Sequence, residues 1–317
     1  MLAGLPHNRA RTQLLTLLGG LCLGAGGAAQ LMAGTDASTT VAPPLRVAIS
    51  ETLVFGVNLS HASAAMAVWA AEMVKTADLK PTLPLDHDWV VPSDQLLAAI
   101  RSGKVDIFCL TVQECRQVVP YVDTSRIITD DFGGDELLLV VRNGSGIVNL
   151  AGLRGRSLII QEGPGTSLAE PWLSVSLWRE GLESPQRFLG HMTANTKLSQ
   201  VVLPVFFGPA DACVVTRRGL VIMTELNPQL GQKLKVLLAS PRMESSFFAC
   251  RKDLPPHLKK PVFDRFLALR LSPTTQQRLT LFQSSGFAAR DSSCLGPANS
   301  LLDAYERHRE PAPGRKR

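Results

Sequence analysis

The 317-residue chain predicts an α/β protein of two similar lobes, each on an open and largely parallel sheet, joined by strands that pass between them. Three observations carry this. A strand–helix–strand–helix–strand order is legible between residues 45 and 111 and again between 156 and 216. The last strand of each set opens on the same skeleton, "GKVDIFCLT" (103–111) and "GPADACVVT" (208–216), with Gly, Asp and Thr at fixed spacing. Between the two sets, "ELLLVVRN" (136–143) is a continuous apolar strand, long enough to run from one lobe into the other.

The elements follow in order. Arg9 and Arg11 precede an uncharged segment whose dense apolar part spans Leu14 to Leu23, and Gly27-Ala28-Ala29 follows. That is the build of a cleavable signal peptide over 1–29, with 30–44 a linker. An uncleaved membrane anchor is one alternative, and a lipid anchor at Cys22 is another, opposed by the bulky Leu21 before it. "LRVAIS" (45–50) is a strand, and "SHASAAMAVWAAEMVKTA" a helix capped by Ser60. "KPTLPLDHDW" is a weak strand, and "PSDQLLAAIRSG" a helix capped by Ser93 and closed by Gly103, before the strand "VDIFCLT".

In the second set "RSLIIQ" is a strand, "GPGTS" a Gly-rich turn, and "LAEPWLSVSLWREGL" a helix with Pro171 in its first turn. "QRFLGH" reads as a strand, "ANTKLSQVVLPVFFG" as helical in its first half, and "DACVVT" as the closing strand. "KLKVLLAS" and "SSFFACRK" return the chain, and three helices starting near Pro256, Pro273 and Pro297 complete it. Lobe one is therefore 45–138 with 241–305, lobe two is the insert 139–240, and 306–317 is a disordered basic tail.

Composition excludes several function classes. Of the net +6, Arg9 and Arg11 supply two charges, and 306–317, with five Lys/Arg against two Glu, supplies three. The body is left near +1, which argues against a nucleic-acid face. Five of the six cysteines lie beyond Cys22, none in a C-x-x-C pair, and a Cys250–Cys294 bridge stays open. "DHD" (86–88) is a lone triplet without the spacing of a metal site, so neither metal nor cofactor is expected. No nucleophile elbow, Walker loop or dinucleotide fingerprint occurs, which argues against an enzyme.

Ligands of open parallel sheets bind at the carboxyl ends of the strands, where helix N-termini point. In lobe one this selects Ser50, Glu51 and Thr111, with Gln113 and Glu114 beside it. In lobe two it selects Gln161 through Ser167, among them Gly165, Thr166 and Ser167, then His191 and Thr216. A Gly-Pro-Gly-Thr-Ser turn ahead of a helix suits an oxyanion, because backbone N–H groups approach closely and hydroxyls donate. The alternative is that Thr166 or Ser167 merely caps the helix. Asp106 and Asp211 each open a strand, where a carboxylate accepts neighbouring backbone N–H groups.

The motifs "LRVAIS", "AAMAVWAAEMVK", "LLAAIRSGKVDIFCLT", "LRGRSLIIQEGPGTS", "FLGHMTANTK", "VFFGPADACVVT" and "FFACRKDLPP" resemble the phosphate/phosphite/phosphonate-binding components of ABC importers. That resemblance implies a type II periplasmic-binding-protein fold with two crossover hinge strands, over most of residues 45–290. It implies that Thr166 and Ser167 hold phosphoryl oxygens, that His191 assists, and that Asp211 holds a ligand amine or orders the cleft. It further implies a monomer in the periplasm that closes on a small anionic solute and docks on a membrane permease. A membrane-tethered sensing module is the alternative. One departure stands out: "CLT" (109–111) occupies a place where relatives carry an aromatic contact, and Tyr121 is the only body tyrosine besides Tyr305.

Overall fold

In the computed structural model, which describes residues 45–54, 63–64, 81–82, 89–268 and 286–309, the chain enters its first sheet as β1 (Leu45–Ser50). Short strands β2 (Pro81–Thr82) and β3 (Val90–Val91) pair with the two ends of β1. Helix α1 (Ser93–Arg101) leads to β4 (Ile107–Thr111), parallel to β1, and then to a single helical turn, α2 (Val112–Arg116). Strand β5 (Val122–Asp130) carries little sequence signal, because in its first half, "VDTS", only Val122 is buried, and the buried run Ile127–Thr129 that follows is short. The expected signal peptide, linker, "DHD" triplet, helix from Pro273 and most of the basic tail lie outside the described residues, as does all of the helix from Ser60 except residues 63–64, which are helical.

The second sheet starts with β6 (Leu137–Arg142). The expected passage from lobe to lobe does not occur: the strand pairs along its whole length inside the second sheet. Its one face packs with Leu158, Leu173 and Val214, and the other with Val201, Val205 and Phe206. Cover on both faces, not passage between lobes, explains the unbroken apolar run. Then come β7 (Ser157–Gln161), α3 (Ala169–Arg179) and the turn α4 (Pro185–Phe188). "QRFLGH" is thus a helical turn, opened by Pro185, and the strand starts only at its last residue as β8 (His191–Asn195). Helix α5 (Leu198–Phe207) occupies about the last two thirds of its segment and not the first half, running through Pro204 because it buries Val201, Val202, Val205 and Phe206. Strand β9 (Ala212–Thr216) is followed by α6 (Arg217–Leu226), α7 (Pro228–Lys233) and β10 (Leu234–Ala239). The order is β10-β6-β9-β7-β8, with β7, β8 and β9 parallel.

The chain returns through β11 (Ser246–Arg251), α8 (Pro256–Ala268) and β12 (Phe287–Arg290), which gives the first sheet the order β12-β5-β11-β4-β1-β2. The last helix is α9 (Gly296–His308), expected with lobe one, and it touches elements of both sheets. Tyr305 and His308 each lie 5.7 Å, centroid to centroid, from the Trp178 ring of α3 in the second lobe. From the first lobe, Arg116 reaches it at Asp303 (2.7 Å) and Glu306 (2.9 Å).

The repeated skeleton proves to be three structural parts used twice. Gly103 and Gly208 both take positive φ, +67° and +108°, where the preceding helix stops. Asp106 accepts the backbone N–H of Arg46 (3.0 Å), in β1, and Asp211 accepts that of Ser157 (3.0 Å), the first residue of β7. Thr111 and Thr216 end their strands by capping the next helix, accepting from Glu114 N and Gly219 N. Each threonine also pairs with the residue that opens the antiparallel neighbour, Ser246 or Leu137.

Candidate functional site

The segments that join the sheets, 131–136 and 240–245, meet as an antiparallel bridge between Asp135 and Met243. Gly134, at φ +80°, lies so close that a Cβ there would stand 2.3 Å from the Met243 carbonyl oxygen. Arg242 donates to the carbonyls of Phe132 and Gly134, both at 3.1 Å. Arg218, in the first turn of α6, lies 3.6 Å from Asp130 and 3.9 Å from Asp135, and its guanidinium stands 3.7 Å from the Phe132 ring centroid. The second lobe is thereby fastened to the crossing strands by charge.

Glu244 is buried in this hinge with Arg290 Nε 3.6 Å away. Burial, and then the charge of Asp130, push its carboxyl up to about 7, against partial relief from Thr129, Arg290 and Arg218. Below pH 4.5 the group is protonated folded and unfolded alike, and costs nothing. As pH rises from 4.5 to about 7, the unfolded chain ionises first, and stability falls by about 3 kcal/mol in total. Glu244→Gln should therefore match the wild type in urea melts at pH 4 and exceed it by about 1–3 kcal/mol at pH 8. Parallel curves at both pH values would contradict this.

At the carboxyl end of β7, a 3-10 turn (Pro164–Thr166) leads into α3. Gly165 sits against β9: a Cβ there would stand 3.2 Å from Thr216 Cγ2, so the turn can lie flat on that strand end. Thr166 is buried, and its hydroxyl donates to the Gly163 carbonyl (3.2 Å). Neither Thr166 nor Ser167 caps α3, whose N-cap is Leu168 without a side-chain bond. Ser167 Oγ and Gln161 Oε1 are buried atoms with no hydrogen-bond partner in the structure. Buried polar atoms are ordinarily hydrogen-bonded, so an unpaired hydroxyl and an unpaired amide oxygen in this segment stand out.

His191 and Asp211 are not brought to this end. His191 is the first residue of β8, opposite Ser157, four residues or about 13 Å before the carboxyl end. A strand over 186–191 would put it at the carboxyl end, but that segment is a helical turn followed by the start of β8. Asp211 lies just before β9 at the same far end, where it accepts from Ser157 N and Oγ and from Arg156 (3.3 Å). Burial raises its pKa, but the Ser157 bonds and Arg156 outweigh this and hold the carboxyl below the usual range. Asp211 is a strand clip, as Asp106 is.

In lobe one, Ser50 and Thr111 do stand at strand ends, but they face a buried carboxylate, Glu114. Ser93 joins them from the first turn of α1, which is capped at Pro92, and so is not the cap the sequence suggested. Thr52 completes the set. Glu51 is exposed and accepts from Ser93 N at 3.4 Å. Contacts between residues 50, 52, 93 and 114 leave no sequence signal, because each is set by a different element.

Among the described residues no cluster of His, Cys, Asp and Glu could hold a metal. Cys109, Cys115, Cys213, Cys250 and Cys294 carry free thiols, and the Cys250–Cys294 bridge is not formed. Burial pushes Cys115, Cys213 and Cys250 up to about 12, which makes them poor nucleophiles. A cavity of about 130 Å³ bordered by Val112, Arg116, Thr124 and Asn299 shares none of the site groups.

Residues 76–294 match the family model of the periplasmic substrate-binding protein of ABC phosphonate transporters. The fold is shared with a binding protein component of an ABC phosphonate transporter from Pseudomonas aeruginosa (TM-score 0.57, 16% identity, 84% of this chain and 87% of that one). It is also shared with a Xanthomonas citri protein bound to ATP (0.59, 15%, 84% and 98%). A third match is PhnD1 from Prochlorococcus marinus in complex with methylphosphonate (0.56, 14%, 83% and 98%). None of the curated proteins matches.

Proposed function

The chain belongs to the periplasmic substrate-binding proteins of ABC phosphonate transporters, and on that premise we propose that its second lobe holds the anionic head of a phosphonate, phosphite or phosphate on the turn Gly165-Thr166-Ser167. It is the extracytoplasmic component of an importer, with a small anionic ligand and a membrane permease as partners. The observation that carries the site is the buried Ser167 hydroxyl with no bond of its own, at the same strand end as Gln161 Oε1. A donor with an acceptor suits a monoprotonated phosphoryl group, whose oxygens accept and whose hydroxyl donates. Gly165 lets the turn approach, and Thr166 holds its shape through the Gly163 carbonyl.

On this reading the protein binds and releases its ligand unchanged, as a monomer, and its 1–29 segment is removed on export. Lobe one comprises 45–136 with 241–295, lobe two 137–240, and the last helix lies across both; His191 and Asp211 drop out of the site. Mass spectrometry of the mature N-terminus tests the cleavage after Ala29. Titration calorimetry with methylphosphonate and with phosphate tests the site. The double change Thr166→Ala, Ser167→Ala should keep the wild-type far-UV spectrum and weaken binding about tenfold or more, about 1.4 kcal/mol. An unchanged Kd would remove the turn from the site.

A further inference from the structure

We propose that lobe one contains an oxyanion subsite that the chain fills with its own Glu114 carboxylate. Oε1 accepts from Ser50 Oγ (2.5 Å), Ser93 Oγ (2.5 Å) and Thr52 Oγ1 (3.1 Å). Oε2 accepts from Thr111 N (2.8 Å) and Thr111 Oγ1 (3.0 Å). Five donors from the end of β1, the turn after it, the start of α1 and the end of β4 converge on one buried group. Among the described residues no lysine or arginine forms an ion pair with it. Neutral hydroxyls and an amide surrounding a buried charge are how proteins hold an oxyanion ligand.

The ordinary explanation is a capping box, and half of the arrangement is one: Glu114 and Thr111 exchange backbone and side-chain bonds at the start of α2. That box needs only Oε2. The three hydroxyls on Oε1 come from residues 50, 52 and 93, remote in sequence and outside the cap. They stand at the strand ends where an open parallel sheet presents its ligand groups.

The consequence for specificity rests on the functional reading above. With its hydroxyls spent on Glu114, lobe one has none of them to offer a solute, and the anionic head is left to lobe two. A solute with a second anionic group directed at lobe one meets a fixed negative charge. Lobe one thus selects solutes whose far end is neutral or cationic.

Emptying the subsite tests the assignment. Glu114→Ala should melt below the wild type in chloride buffer, because five donors lose their acceptor. At 50 mM formate its melting temperature should rise by about 3 °C or more, the shift for a ligand about tenfold above its Kd. The wild type and Glu114→Gln, with the position still filled, should move by less than about 1 °C under the same conditions. No rise in Glu114→Ala, or an equal rise in all three proteins, overturns the proposal. Should the alanine variant not accumulate, refolding yield replaces the melt: recovery in formate but not chloride supports the subsite, and equal yields, including none, reject it. Methylphosphonate titration of the wild type is read separately. Its failure would remove the transport ligand and leave formate rescue standing, while lost rescue with intact phosphonate binding would remove the subsite alone.

Discussion

Gly134→Ala will cost the protein at least about 3 kcal/mol in a urea melt, and a smaller loss would contradict the hinge geometry. Two independent causes add. At φ +80° a residue with a Cβ is strained by about 1–2 kcal/mol. The new Cβ also stands 2.3 Å from Met243 O, 2.5 Å from Met243 C and 2.8 Å from Glu244 N, all backbone atoms that cannot swing aside. Relief requires parting the crossing strands, and that breaks Asp135 N to Met243 O (3.0 Å) and Met243 N to Asp135 O (2.9 Å). Gly133→Ala is the control. Its φ is +73°, but its Cβ would meet only the Arg290 guanidinium, at 2.9 and 3.3 Å, a flexible end that can move. It should cost about 1–2 kcal/mol. Equal losses would show that backbone conformation alone, without the close approach of the two strands, governs both.

Asp106→Ala is expected to cost about 3 kcal/mol at pH 7, and Asp211→Ala about 1. The two acids share a job but not an environment. Asp106, 7% exposed at its side chain, accepts three bonds from Arg46, at 3.0, 2.8 and 2.8 Å, with Arg251 a further 3.4 Å away. Removing it leaves two arginines and a strand N–H facing a gap. Asp211 is 32% exposed and its Arg156 partner 50%, so water replaces much of what is lost. Burial raises the Asp106 pKa, but the Arg46 bonds outweigh it and hold the carboxyl below the usual range. Its contribution is therefore present above pH 3.8 and disappears as the pH falls through the lowered value. Asp106→Asn should flatten that acid limb, as followed by circular dichroism between pH 2 and 5. An unaltered limb would mean that other carboxylates control it.

Where local pattern decides structure, the chain was readable. The doublet was legible because Gly, Asp and Thr perform the same three tasks in both sheets, and "GPGTS" stood out because Gly165 lets its turn lie close against Thr216. Strand β5 stayed hidden because "VDTS" is polar, and β6 was given the wrong task because a strand covered on both faces resembles one that travels. His191 was misplaced by a single turn: Pro185 opens a helix where apolar spacing suggested a strand. The Glu114 cluster could not be foreseen at all. Its donors come from four elements, and only packing decides that Ser93 faces the carboxylate and does not cap its own helix.

The way the final helix lies against Trp178 sets an order of assembly. The second sheet begins at Leu137, yet part of the cover on its helices is residues 296–308. A nascent chain threaded out from its N-terminus must leave one tryptophan-bearing flank bare until its closing stretch is delivered. Maturation of the inserted lobe is thus timed by the far end of the polypeptide, and a shortened chain would be incomplete in a lobe it had already fully synthesised.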